Sequence, residues 1–320
     1  TQDGDIVLNL TEVAIKDVRR RAPMPVLRTL LFVPGNQERR LEKAYLIPAD
    51  ALILDLEDSV PPSEKDPARK IVAASIDGLA ASGKEIFVRI NSLPTPYAVS
   101  DIKAVVTGRL GGICLPKSES TDDIHRADAL LADAEKETGL RMGSTGILAL
   151  IETPKGIMNA YEITSTSPRI IGAIFGAEDF TLEMGVNRTK EGSEIYYPRT
   201  VLAVACHAAS VLAIDSVYTD VRDTEGLIGE TRTVARMGFQ GKAVIHPDQV
   251  GPVNQVFVPS ADEISQAHRV VQAFEAAVER GQASTSIDGK MIDTPIAARA
   301  RKVLTLAEFI AKKERNYSWH

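Results

Sequence analysis

Residues 147–179 read ILALIETPKGIMNAYEITSTSPRIIGAIFGAED, and this stretch carries the pattern that decides the fold. Two short, almost continuous apolar runs, 147–151 and 170–175, enclose a longer segment of mixed character. Brief runs of this kind are typical of parallel strands buried on both faces, and the enclosed segment is long enough for a crossover helix. The stretch therefore predicts one β-α-β unit, with carboxylates following its two strands, at Glu152 and Asp179.

The same alternation extends over residues 27–246 and gives eight apolar runs in all. The other runs are residues 27–33, 51–56, 86–90, 112–115, 213–218 and 242–245. Eight such units predict an α/β protein with a (β/α)8 TIM barrel, which we assign to residues 27–254. A doubly wound sheet ranks second, because it would call for a G-x-G-x-x-G loop where residues 32–36 read FVPGN.

Segments of different character flank the predicted barrel. Residues 1–26 form an N-terminal extension that mixes acidic and basic side chains. Residues 255–320 contain a helical stretch at 262–280, a Gly/Ser/Thr-rich loop at 281–286 and a last amphipathic helix to about residue 312. We expect this C-terminal segment to be a helical lid appended to the barrel.

Composition excludes several classes of protein. Among 320 residues, 37 Lys and Arg oppose 43 Asp and Glu, so the formal net charge is −6, and no basic stripe suggests nucleic acid. The longest nearly apolar stretch, 201–214, is broken by His207 and is too short to span a bilayer. Cys114 and Cys206 cannot build a disulfide framework. We therefore expect a cytoplasmic protein with neither a membrane nor a nucleic-acid partner.

Two carboxylates suggest a metal site. The active site of a (β/α)8 barrel lies at the carboxyl ends of its strands, where Glu152 and Asp179 follow consecutive strands. Two converging carboxylates repel each other unless a cation or a shared proton compensates, and hard oxygen ligands favour Mg²⁺, with Mn²⁺ as the alternative ion. The other interpretation is that each carboxylate caps a helix or pairs with a neighbouring Lys or Arg.

Arg89 is predicted to face into the barrel mouth. In FVRIN, residues 87–91, strand alternation places it opposite Val88, and its planar fork suits a substrate carboxylate. An internal salt bridge to Asp55 or Glu57 is the alternative. The cluster DLED at 55–58 is interpreted as structural, with some of its acids paired to a nearby cation; the candidates are Lys65 and Arg69.

His246 is the histidine that falls at a predicted strand end, where it could act as a general base. Because Pro247 follows it and neither a serine nor a cysteine partner is evident, we favour a positional or ligand-packing role. Cys114 and Cys206 are interpreted as small buried residues rather than nucleophiles.

Over residues 27–312 the chain resembles one family through a series of motifs in order. The motifs are LFVPG, LILDLEDSV with PSEKDPAR, FVRIN, ICLPKSES, LALIETPKGIMNA, FGAEDF, VIHPDQV and DGKMIDTP. They resemble the citrate lyase β-subunit family, together with the malyl-CoA, citramalyl-CoA and β-methylmalyl-CoA lyases and malyl-CoA thioesterase. The resemblance implies a Mg²⁺-dependent (β/α)8 barrel that assembles as a homotrimer or a homohexamer.

The same resemblance implies roles for individual residues. Glu152 and Asp179 would bind the metal, and Arg89 would grip the carboxylate of a 2-oxo acid. Asp293 would be the acid/base group and would reach the active site of a neighbouring subunit. The groups implied to hold the CoA phosphates and adenine are Arg28 and the turn Ile245-His246-Pro247.

The first functional hypothesis is a lyase that cleaves citramalyl-CoA or malyl-CoA reversibly to acetyl-CoA (or propionyl-CoA) and a 2-oxo acid. Alternatives are a malyl-CoA thioesterase or malate-synthase-like enzyme, a citrate lyase β subunit acting on an acyl-carrier-protein thioester, and a metabolite-binding protein without catalysis. The sequence leaves open whether the oxo acid is glyoxylate, pyruvate or oxaloacetate.

Overall fold

Eight parallel strands close into a barrel in chain order in the computed structural model, which describes residues 25–317. The strands are β1 (Thr29–Pro34), β2 (Ala51–Asp55), β3 (Glu85–Arg89), β4 (Gly112–Leu115), β5 (Gly146–Ile151), β6 (Ile170–Phe175), β7 (Leu212–Asp215) and β8 (Gly241–Val244). β1 pairs with both β2 and β8, so the sheet has no free edge. The predicted (β/α)8 TIM barrel is confirmed.

Helices follow the strands and surround the barrel. They are α1 (Glu38–Ala44), α2 (Lys65–Ala80), α3 (Ala98–Val105), α4 (Thr121–Thr138), α5 (Pro154–Met158), α6 (Ala160–Ser165), α7 (Ala177–Met184), α8 (Ser193–Ala209), α9 (Thr224–Met237), α10 (Pro247–Val256), α11 (Ala261–Glu279) and α12 (Thr294–Tyr317). A helix long and apolar enough to cross a membrane does not occur within residues 25–317.

Strand alternation divides the core into two layers. On β5, Leu148 and Leu150 point into the barrel and pack with Phe87 of β3, whereas Ala149 and Ile151 pack outward against the helices. Both layers are apolar, which explains why the strands appear in the sequence as nearly continuous apolar runs. Glu152 directly follows β5 and continues the inward-facing series.

Two boundaries differ from the sequence-based expectations. The segment between β5 and β6, expected to hold one crossover helix, contains two helices divided at Asn159, whose side-chain amide donates to the carbonyl oxygen of Glu119 (2.8 Å). The expected barrel boundary at residues 254/255 falls inside α10. Residues 1–24 of the expected N-terminal extension lie outside the described part of the chain.

The C-terminal segment forms a small module with its own apolar cluster. A hairpin of β9 (Thr285–Ile287) and β10 (Lys290–Ile292), which the sequence analysis did not predict, connects α11 to α12. Its turn residues, Asp288 and Gly289, both have positive φ, as a type I′ hairpin turn requires. Side chains from α11, the hairpin and the first half of α12 bury one another; among them are Phe274, Ile292 and Ala297.

The far end of α12 is fixed to the amino-terminal end of the barrel. There the buried Arg28 donates to both carboxylate oxygens of Asp50 (2.9 and 3.1 Å) and to Glu314 (2.9 Å), while Lys313 lies 3.2 Å from Asp50. Arg28 precedes β1, so it lies at the end of the barrel opposite the strands' carboxyl ends. This corrects the expectation that Arg28 holds CoA, because its guanidinium is 3% exposed and engaged by these carboxylates.

Replacing Asp50 with alanine is expected to lower the free energy of unfolding by about 3–5 kcal/mol, because the charge of Arg28 would stay buried without its main partner. Urea denaturation followed by circular dichroism measures this loss. The matched control is Glu137→Ala, which breaks an exposed pair with Lys103 and is expected to cost less than about 1 kcal/mol. Equal losses in the two variants would contradict a structural role for the Arg28–Asp50 pair.

Candidate functional site

A cavity of about 280 Å³ opens at the carboxyl ends of the strands. It brings together Arg89 at the end of β3, Glu152 directly after β5 and Asp179 in the first turn of α7. Asp55, the last residue of β2, lies in the same wall. These four residues are far apart in sequence, and they meet because the carboxyl ends of parallel strands share one end of the barrel.

Glu152 is buried beneath the cavity and held by a strained turn. Its Oε1 accepts a hydrogen bond from the backbone N–H of Lys117 (2.8 Å), and Lys117 has a positive φ of 50°, which non-glycine residues rarely adopt. Burial, and then the negative charge of Asp179, raise the pKa of Glu152 to about 8. At neutral pH this carboxyl group is therefore mostly protonated unless a cation lies beside it.

Glu57 adds to the excess of acidic groups. Its Oε1 accepts a hydrogen bond from Ser92 (3.1 Å), but its buried Oε2 accepts none, although Arg89 Nη1 lies 3.3 Å away. Burial, partly offset by Arg89, raises the pKa of Glu57 to about 7. The mouth of the barrel thus contains more acidic groups than its nearby cation can neutralise.

Arg89 is the cation within this group of acids. Its Nε and Nη2 donate to the two carboxylate oxygens of Asp55, each at 2.7 Å, and its Nη1 donates to the exposed Asp58 (3.2 Å). The ring of Phe32 lies 5.1 Å from the guanidinium carbon. The internal salt bridge, which the sequence analysis left as the alternative, is therefore present, and Arg89 still lines the cavity.

The prediction that Lys65 or Arg69 pairs with the acidic cluster at 55–58 was wrong. Lys65 donates its ammonium group to the backbone carbonyl oxygens of Leu56 (2.7 Å) and Glu57 (2.6 Å) rather than to a carboxylate. Arg69 pairs with Asp66 and Asp101, outside the cluster. Arg89 takes the role that the sequence analysis gave to these two residues.

The oxygen donors at the mouth fit a divalent cation. Carboxylate oxygens are the ligands that Mg²⁺ prefers, and it is commonly held by one or two carboxylates together with substrate and water oxygens. Glu152 and Asp179 supply such a pair, and a nearby dication would stabilise the ionised form of Glu152. Across the described residues, no three His, Cys, Asp or Glu side chains converge as a complete ligand set. The site therefore suits an ion whose remaining ligands come from substrate and water.

The turn after β8 borders the cavity. Ile245 lines it, whereas His246 and Pro247 begin α10 beside it. The imidazole Nδ1 of His246 accepts a hydrogen bond from the backbone N–H of Asp248 (3.2 Å), so it caps this helix. His246 thus fixes the start of α10, and its role toward a ligand stays a prediction.

Asp293 is not among the residues that line the cavity of its own chain. It lies between β10 and α12, where its Oδ1 accepts a hydrogen bond from the backbone N–H of Ile296 (3.2 Å). The structure thus brings together Arg89, Glu152, Asp179 and Ile245, and it leaves Asp293 and Arg28 elsewhere in the chain.

Gly176 is a site residue that the sequence analysis missed. A Cβ atom at this position would overlap Glu152 Cβ and lie 2.8 Å from Glu152 Oε2. The glycine at the end of β6 therefore lets the buried carboxylate approach the neighbouring strand. The available signal was its place in GAED, between a predicted strand and Asp179.

Comparisons with known proteins agree with this architecture. The family model described as HpcH/HpaI aldolase/citrate lyase matches residues 28–247. The chain is 40% identical over 292 residues to the citrate lyase subunit beta of Leuconostoc mesenteroides subsp. cremoris, covering 91% of this chain and 97% of that protein. It is 34% identical over 284 residues to the (3S)-malyl-CoA thioesterase of Cereibacter sphaeroides strain KD131, covering 89% and 95%.

A solved structure provides a further comparison. CitE from Mycobacterium tuberculosis, in complex with magnesium, acetoacetate and coenzyme A, matches the structure with a TM-score of 0.72 at 28% sequence identity. The match covers 88% of this chain and 98% of that one. The likeness therefore extends over more residues than the barrel alone contains.

Gly176→Ala is expected to weaken Mg²⁺ binding by about tenfold or more, because the added methyl group must displace the Glu152 carboxylate. Isothermal titration calorimetry with Mg²⁺ measures the change. Gly229→Ala serves as the control, since a Cβ atom there meets nothing within 4 Å. Unchanged Mg²⁺ affinity in Gly176→Ala would show that the close approach of Gly176 to Glu152 is unimportant for the site.

Proposed function

Because the chain belongs to the HpcH/HpaI aldolase/citrate lyase family, we propose that it is a Mg²⁺-dependent carbon–carbon lyase acting on a CoA thioester. The proposed substrate is a 3-hydroxyacyl-CoA of the citramalyl-CoA or malyl-CoA type, cleaved reversibly to acetyl-CoA (or propionyl-CoA) and a 2-oxo acid. The observation that carries the proposal is the convergence of Arg89, Glu152 and Asp179 in one cavity at the barrel mouth.

Glu152 and Asp179 are the residues that would hold Mg²⁺. The raised pKa of Glu152 supports this assignment, because its ionised form needs a cation nearby. When bound, Mg²⁺ supplies Lewis-acid polarisation of the substrate's hydroxyl and carboxylate oxygens. The similar M. tuberculosis structure contains magnesium together with coenzyme A, which fits the same assignment.

Arg89 would orient the substrate carboxylate. Its bidentate pair with Asp55 fixes the guanidinium plane, while the contact of its Nη1 with the exposed Asp58 is the one that a substrate can replace. A carboxylate held by this fixed plane would set the direction of the neighbouring carbon–carbon bond. Asp55 therefore acts as a positioning residue for Arg89.

Asp293 would transfer a proton to and from the α-carbon of the thioester. Cleavage breaks the bond between the carbinol carbon and the α-carbon of the thioester, and the bonding electrons leave with the thioester as an enolate. The carbinol gives its hydroxyl proton to water and becomes the 2-oxo group, so the proton released there balances the one that the α-carbon gains. Asp293 would protonate the α-carbon of the enolate, and in the reverse direction it would remove that proton.

A second copy of the chain is the proposed source of Asp293, in a homotrimer or homohexamer. In support, large apolar side chains are exposed on the helices that follow β5 and β6; examples are Met158, Tyr161, Leu182, Tyr197 and Val204. An exposed apolar surface of this kind is typical of an interface between subunits. The cavity has no Asp293 from its own chain among its lining residues.

The CoA moiety would leave the cavity past Ile245. With Arg28 at the opposite end of the barrel, the exposed Arg40 of α1 is the rim cation that we propose for the phosphates. His246 and Pro247 would support this side of the path by fixing the start of α10. Both cysteines are free and buried, which fits the reducing cytoplasm proposed for the protein.

Two alternative functions would use the same residues. The 40% identity to a citrate lyase subunit beta favours a subunit that acts on a carrier-protein thioester as one alternative. The 34% identity to a malyl-CoA thioesterase favours hydrolysis of the thioester as the other. The products of the reaction separate these alternatives.

The proposed function is tested by incubating the purified chain and Mg²⁺ with citramalyl-CoA, malyl-CoA and citryl-CoA. Oxo acid, acetyl-CoA and free thiol are followed separately. Formation of oxo acid and acetyl-CoA without free thiol is the expected result. Free thiol without oxo acid would replace the lyase by a thioesterase, and activity that needs an acyl carrier protein would replace it by a complex subunit.

Two inactive variants should complement each other if Asp293 acts in a neighbouring subunit. Glu152→Gln and Asp293→Asn are each expected to lose turnover, the first through weakened Mg²⁺ binding. After the two are unfolded and refolded together, about a quarter of wild-type activity should return, because one site in four combines an intact barrel with an intact neighbour.

The control for this experiment is Asp288→Asn in the same hairpin, whose side chain pairs with the exposed Arg269. It should retain turnover by itself. Failure of the mixture to regain activity, with both variants folded and assembled, would contradict the contribution from a second copy.

A further inference from the structure

The floor of the cavity is apolar. Four side chains form it, one each from β1, β5, β6 and β8: Phe32, Leu150, Ile174 and Ala243. Leu150 is 3% exposed and Ile174 is 1% exposed, and both belong to the apolar cluster inside the barrel. Leu150 lies two residues before Glu152 on the inward-facing series, so the floor lies below the Glu152 carboxylate.

The two cations that line the cavity are not free to serve this floor. The guanidinium of Arg89 lies 5.1 Å from the ring of Phe32, but it is engaged by Asp55, Glu57 and Asp58. Arg40 projects from α1 at the exposed rim. Among the described residues that line the cavity, no other Lys, Arg or His is present.

The geometry of the substrate decides which group meets the floor. The carbinol carbon of the proposed substrates has four substituents. Its hydroxyl and carboxylate belong with Glu152, Asp179 and Arg89, and its thioester arm must point out of the mouth because CoA is far larger than 280 Å³. The fourth substituent therefore points down onto Leu150 and Ile174. This substituent is hydrogen in malyl-CoA, methyl in citramalyl-CoA and carboxymethyl in citryl-CoA.

We propose that Leu150 and Ile174 restrict this chain to 2-oxo acids whose substituent is hydrogen or methyl, and that they exclude the carboxymethyl group of oxaloacetate. This inference rests on the proposed function and narrows its substrate class. An ionised carboxylate on this apolar floor loses its hydration, and the nearby guanidinium of Arg89 is already paired with other carboxylates. A buried leucine and a buried isoleucine also leave little depth for a longer chain.

With this floor, the chain would differ in substrate from one of the relatives that it resembles. The chain is 40% identical to a citrate lyase subunit beta, yet the floor favours an oxo acid smaller than oxaloacetate. Substrate size and charge would then differ between relatives that share the same charged layer. The floor residues are therefore assigned a role in specificity, separate from the groups that carry the reaction.

The first test measures binding without turnover. Calorimetry in the presence of Mg²⁺ compares glyoxylate, pyruvate, 2-oxobutyrate and freshly prepared oxaloacetate on the wild-type chain. Pyruvate is expected to bind at least tenfold more tightly than either 2-oxobutyrate, which tests size, or oxaloacetate, which tests charge. Oxaloacetate binding as tightly as pyruvate would overturn the proposal, and so would failure of all four acids to bind.

The second test changes the floor. Leu150→Ala should raise the affinity for 2-oxobutyrate relative to pyruvate by about tenfold or more, while oxaloacetate stays weak because no cation has been added. Ile174→Val is a milder change of the same kind for the case in which Leu150→Ala does not fold. Leu148→Ala is the matched control, since Leu148 lies one layer deeper on the same strand and does not line the cavity.

The outcomes separate this inference from the proposed function. Cleavage of citryl-CoA faster than citramalyl-CoA or malyl-CoA would support a lyase and overturn the role of the floor. Selective binding of pyruvate without cleavage of any thioester would support the floor and overturn the lyase. A ratio of 2-oxobutyrate to pyruvate affinity that is the same in Leu150→Ala and Leu148→Ala would also overturn the role of the floor.

Discussion

Negative charge crowded at the carboxyl ends of the strands is the constraint on which the functional end of this barrel depends. Asp55 and Arg89 are register partners on β2 and β3, so their bidentate salt bridge links the alignment of the two strands to the orientation of the guanidinium. This pairing engages Nε and Nη2 of Arg89 and leaves Nη1 to the exposed Asp58. The pKa values of Glu57 and Glu152 stay raised, at about 7 and 8. A cation bound at the mouth would therefore stabilise the ionised forms of these carboxylates.

Buried charges are balanced at one end of the barrel and unbalanced at the other. At the amino-terminal end, Arg28, Asp50, Lys313 and Glu314 neutralise one another and fix the last helix. At the other end, acids outnumber their counter-charges and one oxygen of Glu57 accepts no hydrogen bond. A closed network of this first kind serves stability, whereas an incomplete one is typical of a site that binds a charged ligand.

The sequence predicts those features that depend on local pattern. Apolar runs predicted the eight strands, and polar residues at the run ends predicted that Arg89, Glu152 and Asp179 would meet. Features that depend on distant partners could not be predicted in this way: Arg28 contacts Glu314, 286 positions away, and its place at a strand start was the one available warning. The hairpin at Asp288-Gly289 had a local signal, an Asp-Gly turn between short strand-like segments, which the sequence analysis did not use.

Strand alternation has a consequence for how such a protein can change. Leu150 on β5 and Glu152 directly after it are separated by one residue, yet they lie at different depths of the barrel interior. The upper layer is constrained by charge balance, since altering one member disturbs the ionisation of the others. The layer below is constrained by volume alone, and apolar residues of similar size exchange there at little cost. Single substitutions in the lower layer can therefore change which substrate this barrel prefers without altering the charged groups above.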